Sequence, residues 1–215
     1  MFFELPKELR DKIYSYAVPQ GAWVGEDTDS FNELNFSGGI GDASGFYFPL
    51  NRLSVLRINR QIRQETLPVA YQRTLFHFDD MDDLIKFLIA IGKIGRDNIE
   101  CLELAWQSRA DLEDQWTEAP IPDEHSLTLP VLHAARCVQL LRQCKSLRFL
   151  QLYFERDLIL DVSPNSYKAD PGIVELCSIQ GIERVEICNL GYESLDQCDF
   201  VKWLKAIMES SGEIE

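Results

Sequence analysis

The chain has 215 residues, 46% of them hydrophobic and 26% charged, and carries a formal charge of −14. A chain of this length buries roughly 70% of its unfolded surface, so it needs neither disulfides nor a metal to fold, and its composition argues against global disorder. The acid excess repels phosphate backbones and anionic lipid, so nucleic acid and membrane are not expected as partners.

Residues 4–18 read as a helix, with Pro6 suited to its first turn, Glu4 and Glu8 at its positive end and Pro19 as its stop. Leu5, Leu9, Ile13, Tyr16 and Ala17 recur at three- and four-residue steps and make one apolar face, opposite Lys7, Arg10, Asp11 and Lys12. Residues 20–50 break the pattern and read as a loop insertion in which scattered aromatics such as Trp23 and Phe31 pack parts down. The glycine-rich run Gly38–Gly45 within it lacks a flanking strand and helix, and Asp42 stands where a phosphate would sit. It reads as a loop.

Helical spacing returns over residues 51–72, and Pro68 is expected to kink or divide this segment. Arg52, Arg57, Arg60 and Arg63 form the chain's one basic concentration. They suit either a clamp for an acidic peptide or carboxylate ligand, or internal pairing with nearby carboxylates, and pairing is the expectation. Thr74–Phe78 reads as a short strand, and Asp79 to Asp83 cap the helix that follows and ends at Gly92. That acidic run is no calcium loop, because no glutamate falls at its twelfth position.

Three segments then share one spacing: Ile99, Leu102, Leu104; Leu147, Leu150, Leu152; and Ile182, Val185, Ile187. Each set ends in a short strand, with helical stretches at Val131–Gln143, Gly172–Ile179 and Phe200–Met208. Strands alternating with helices predict a parallel sheet. The spacing resembles the strand segment of leucine-rich repeats, but the copies lie farther apart than the roughly 20–29 residues of regular repeats, so a short irregular stack is predicted. The acidic stretch Ala110–Glu124 reads as a surface loop, equally suited to partner recognition or to plain solvation.

Met1-Phe2-Phe3 runs directly into Glu4, so no export leader is expected. The six cysteines lack C-x-x-C spacing and read as free thiols of a cytoplasmic or nuclear protein. His133, Cys137 and Cys144 supply too few ligands for a structural zinc site, and no cofactor is expected. No G-x-S-x-G, H-E-x-x-H or Walker motif occurs, and a non-enzymatic protein is the expectation. A small-molecule binder would instead use the 20–50 insertion as a lid over a pocket lined by groups such as Arg60, Tyr71 or His77.

The segment Leu5-Pro6-Lys7-Glu8-Leu9-Arg10 resembles the opening of an F-box, and of a large group of fungal F-box-like proteins. Their second block resembles Leu56-Arg57-Ile58-Asn59-Arg60-Gln61-Ile62-Arg63-Gln64-Glu65, and Tyr71 and Phe76-His77-Phe78 stand where that group carries a tyrosine and a Phe-x-Phe strand. Glu8-Leu9-Arg10 fits the first of two Glu-x-Arg motifs found in one branch, and Gln61-Ile62-Arg63 approximates the second. The resemblance implies docking on the Skp1 subunit of a cullin ubiquitin ligase, through Leu5, Pro6, Leu9 and Ile13 filling a partner groove. The same residues would equally serve as a cap on the chain's own core. The predicted fold is thus α/β: an F-box-like helical region over 1–72 with its insertion at 20–50, then a leucine-rich-repeat-like stack of parallel strands over 73–215.

Overall fold

Parallel neighbours in a sheet need a crossover long enough to carry a helix, and this chain supplies one between most of its strands. The computed structural model describes residues 2–18, 20–25, 54–78, 81–106, 129–154, 163–189 and 191–210. Within them lie strands β1 (Gly21–Gly25), β2 (Thr74–Phe78), β3 (Cys101–Ala105), β4 (Phe149–Phe154) and β5 (Arg184–Asn189). They form a single all-parallel sheet in the order β1-β2-β3-β4-β5. The fold is mixed α/β.

Helix α1 spans Lys7–Ala17 and α2 spans Arg60–Gln72. Helices α3 (Met81–Ala90) and α4 (Gly92–Arg96) connect β2 to β3, and α5 (Leu129–Leu141) lies between β3 and β4. The short α6 (Pro164–Ala169) and α7 (Pro171–Leu176) precede β5, and α8 (Asp199–Met208) follows it. Helix α3 packs on α5, and α5 on α7, so these helices stack in the order of the strands.

Strand alternation sorts the side chains into two faces. Phe76, Leu102, Leu150 and Val185 stand in one register row, and Phe78, Leu104, Leu152 and Ile187 in the next. All eight are buried with Leu84, Phe87, Val138, Leu141, Leu176, Val201 and Leu204 of the helices in one core. The three repeated triplets starting at Ile99, Leu147 and Ile182 all enter it. That is the physical content of their spacing: the first residue ends the crossover inside the core, and the other two are the inward positions of the strand.

Two expectations are corrected. Strand β1 falls within the 20–50 segment read as loop and pairs with β2 from Gly21↔Thr74 to Gly25↔Phe78. Helix α2 runs through Pro68 without division. Its buried face of Ile62, Thr66, Ala70 and Tyr71 outweighs the roughly 3 kcal/mol that an interior proline costs. The apolar stripe of α1, for which core and partner were both open, does not face inward: the buried residue of that helix is Tyr14.

Candidate functional site

Helix α1 is seated by polar chemistry. Glu65 of α2 accepts two hydrogen bonds from Arg10, Nε at 2.8 Å and Nη2 at 3.0 Å, forming a bidentate fork. The Tyr14 hydroxyl donates to Glu65 Oε2 at 2.8 Å, and Gln61 Nε2 donates to Oε1 at 3.0 Å. Arg10 Nη1 also donates to the Leu5 carbonyl at 2.6 Å, tying the start of the helix to the same node. At the other end, Arg73 Nε donates to the Val18 carbonyl at 2.7 Å. The helix is therefore fastened to Glu65 of α2 through Arg10 and Tyr14, and its C-terminal cap is held by the residue that follows α2.

The node is charged and largely enclosed. Hydrogen bonds from Arg10, then Gln61, hold the Glu65 carboxyl down at about 2, against an ordinary 4.5. Burial, then the bond to Glu65, pushes the Tyr14 hydroxyl up to about 12. Tyr14 is 1% exposed and meets Phe2 edge-on at 5.9 Å between ring centres.

Seating α1 by Arg10 and Tyr14 turns its apolar stripe outward. Leu9 is 50% exposed, Ile13 43% and Tyr16 80%, with Phe3 also exposed on the preceding turn. Of the four residues placed at a partner interface, Pro6, Leu9 and Ile13 are exposed and Leu5 is half-buried. Helical geometry puts Leu9, Ile13 and Tyr16 on one side, away from Tyr14. Exposed apolar residues brought together on one helix face are a recurrent mark of docking surfaces. The seat itself, Arg10 with Tyr14, escaped the sequence reading. Its signal was the four-residue step that puts both on one face.

The second surface is the face of the sheet away from the main core. His77, Glu103, Gln151 and Glu186 stand in one register row, as do Leu75, Cys101, Phe149 and Arg184. Glu103 Oε2 accepts from His77 Nδ1 at 2.8 Å and from the Tyr153 hydroxyl at 3.1 Å. Gln151 Nε2 donates to that hydroxyl at 2.7 Å. Burial, with Glu103 adding to it, raises the Tyr153 pKa, so the phenol stays a neutral donor. Arg184 pairs with Glu186 and lies over the Phe149 ring.

Tyr192 stands edge-on to Tyr153 at 5.3 Å, held with a backbone φ of 63° in a turn closed by Asn189 and Glu193. This network was missed apart from His77, although aligning the repeated triplets picks out Glu103, Gln151 and Glu186 at one common offset.

Other candidates separate. Tyr71 packs in the core against Phe76, His77 sits on the opposite sheet face and Arg60 is exposed on α2, so these three do not line one pocket. Cys137 and Cys144 are buried, and burial pushes the Cys144 thiol up to about 12. Among the described residues no three His, Cys, Asp or Glu side chains gather as a metal site. His125, Arg52, Gly38–Gly45 and Ala110–Glu124 lie outside the described residues, as does the side chain of His133.

For Arg57, Arg60 and Arg63 the expected internal pairing is not found among the described residues. Arg57, Arg60 and Arg63 are exposed, and none enters an ion pair or side-chain hydrogen bond. The carboxylate of α2, Glu65, is already engaged by Arg10. No described helix is long and apolar enough to cross a membrane. No family model, curated protein or solved structure matches the chain.

Proposed function

We propose that the chain is a non-enzymatic protein-interaction module of F-box-like type, which docks through α1 on an apolar groove of a protein partner. Skp1 is the partner that the sequence resemblance implies. The observation that carries the reading is the outward stripe of Leu9, Ile13 and Tyr16 on a helix whose other side is already fastened by Arg10, Tyr14 and Glu65. A helix docks best when it does not have to order itself on arrival, and both ends of α1 are tied down beforehand. Apolar side chains one turn apart are the usual anchors of helix-in-groove recognition.

In this reading the sheet serves as a leucine-rich-repeat-like stack, with its helices in strand order, and carries a second recognition surface on its open face. A protein of this kind would work in the cytoplasm or nucleus, where Skp1 resides. A structural or regulatory protein of the same fold without Skp1 contact is the competing assignment.

The test is a pull-down with purified Skp1, using the wild type beside Leu9→Glu and Ile13→Glu. Both positions are about half exposed, so both variants are expected to fold, as circular dichroism will verify. Capture of the wild type and loss of both variants supports the adaptor reading. No capture of the wild type, or equal capture of all three, removes Skp1 docking through α1.

A further inference from the structure

Several described basic side chains on this surface already have carboxylate partners. Lys7 pairs with Asp11, Lys86 with Asp83, Lys93 with Asp97, Arg148 with Glu183, Lys202 with Asp199 and Lys205 with Asp196. With 35 acidic against 21 basic residues, such pairing is easily satisfied. Against that background, three exposed and unpartnered guanidiniums at three-residue steps stand apart.

Arg57 closes the 3-10 turn Ser54–Arg57, and Arg60 opens α2. Arg63 lies three residues on, which places it beside Arg60 on the helix surface, about 5–6 Å apart at Cβ. Asn59, which caps α2 through Ile62 N at 2.9 Å, fixes the junction between turn and helix. Between Arg57 and the cap stands Ile58, 63% exposed. The buried side of α2 is occupied by Ile62, Thr66 and Ala70. The arginines therefore have no structural task in the fold described, and Glu65, which could have neutralised one of them, is held by Arg10.

We propose that Arg57, Arg60 and Arg63, with Ile58 among them, form a docking surface for an acidic segment of a protein partner that carries an apolar side chain among its carboxylates. Planar guanidiniums bind carboxylates bidentately, and three at fixed spacing select a run of acidic side chains. The apolar contact at Ile58 distinguishes such a segment from a bare polyanion. The chain's net charge of −14 repels nucleic acid and anionic membranes at long range, whereas a short peptide carries little charge beyond the patch. This surface shares no residue with the outward stripe of α1, so its test does not depend on Skp1.

The experiment measures fluorescence anisotropy of a short labelled peptide of Asp and Glu residues around one Leu, titrated with the full chain. The wild type binds at low salt and loses affinity as salt rises, because the charges involved are exposed. Arg60→Gln combined with Arg63→Gln weakens binding by roughly tenfold, about threefold for each guanidinium lost. Ile58→Ser weakens it for the Leu-containing peptide but not for one with Ser in that place. Arg142→Gln combined with Lys145→Gln, which removes exposed cations elsewhere, leaves binding unchanged.

Undiminished binding in the Arg60/Arg63 variant, or an equal loss in the Arg142/Lys145 variant, overturns the proposal. So does a wild type that ignores the peptide, whether or not it takes up oligothymidylate or phosphatidylserine vesicles in parallel titrations. Loss of the fold in the Arg60/Arg63 variant also overturns it, since the arginines would then be structural.

Discussion

Replacing Tyr14 and Leu9 in turn by alanine reads out which side of α1 is bound to the rest of the chain. Tyr14 is 1% exposed, meets Phe2 edge-on and donates its hydroxyl to Glu65. Truncating a buried aromatic to alanine costs about 3–5 kcal/mol, and Tyr14→Phe alone, which removes one hydrogen bond, costs about 1 kcal/mol. Leu9 is half exposed. Full burial of a leucine contributes about 1.5–3 kcal/mol, so its truncation forfeits roughly 1 kcal/mol, offset in part by the helix preference of alanine. The two alanine variants should therefore differ by at least about 2 kcal/mol.

Urea unfolding followed by far-ultraviolet circular dichroism measures the difference, and amide exchange within α1 reads the same contrast locally. Equal losses for Leu9→Ala and Tyr14→Ala would refute the reasoning. They would mean that the leucine stripe is core, and the docking proposal would fall with it.

The seat of α1 should also be pH-dependent on both sides. The Glu65 carboxyl is lowered, so its contribution is complete above its ordinary 4.5 and fades as pH falls toward about 2. The Tyr14 hydroxyl is raised, so its contribution is complete below 10 and fades as pH rises toward about 12. Stability profiles of the wild type and Glu65→Gln should diverge within the acid window, and superimposable profiles would contradict the node. Native thiol labelling with Ellman's reagent should reach the half-buried Cys101, Cys177 and Cys198 first and Cys137 and Cys144 only on unfolding, and simultaneous labelling would contradict their burial. Among the described residues Thr66 Oγ1 is buried without a hydrogen-bond partner, so Thr66→Val should raise stability by about 1 kcal/mol in the same urea assay, and a loss of that size would point to a partner for the hydroxyl.

The sheet was legible because its strands carry a strong pattern. The triplets at Ile99, Leu147 and Ile182, with Thr74–Phe78, located four strands, and alternation with helices gave their parallel sense. Strand β1 was not legible: Gly-Ala-Trp-Val-Gly is short, bounded by glycines and set in a glycine- and acid-rich stretch. Its partner, the Thr74–Phe78 strand, lies some fifty positions downstream, and a local pattern cannot report that.

For α1 the pattern gave the helix but not its direction. A stripe of Leu9, Ile13 and Tyr16 suggests burial or docking equally well. What turns the stripe outward is a carboxylate at Glu65, which no spacing within residues 4–18 contains. The arginines illustrate the converse, since an abundance of acids made pairing the natural guess, yet among the described residues Arg57, Arg60 and Arg63 are without it.

The strand order has a mechanical consequence. Because the sheet runs β1 to β5 without any strand crossing another, its earliest and latest strands are its two outer edges. A force applied between β1 and β5 across the strands would act on the ladders in series, each bearing the same load, so the weakest would part first and alone. An unfolding motor that grips either end of such a sheet never has to shear all its ladders at once.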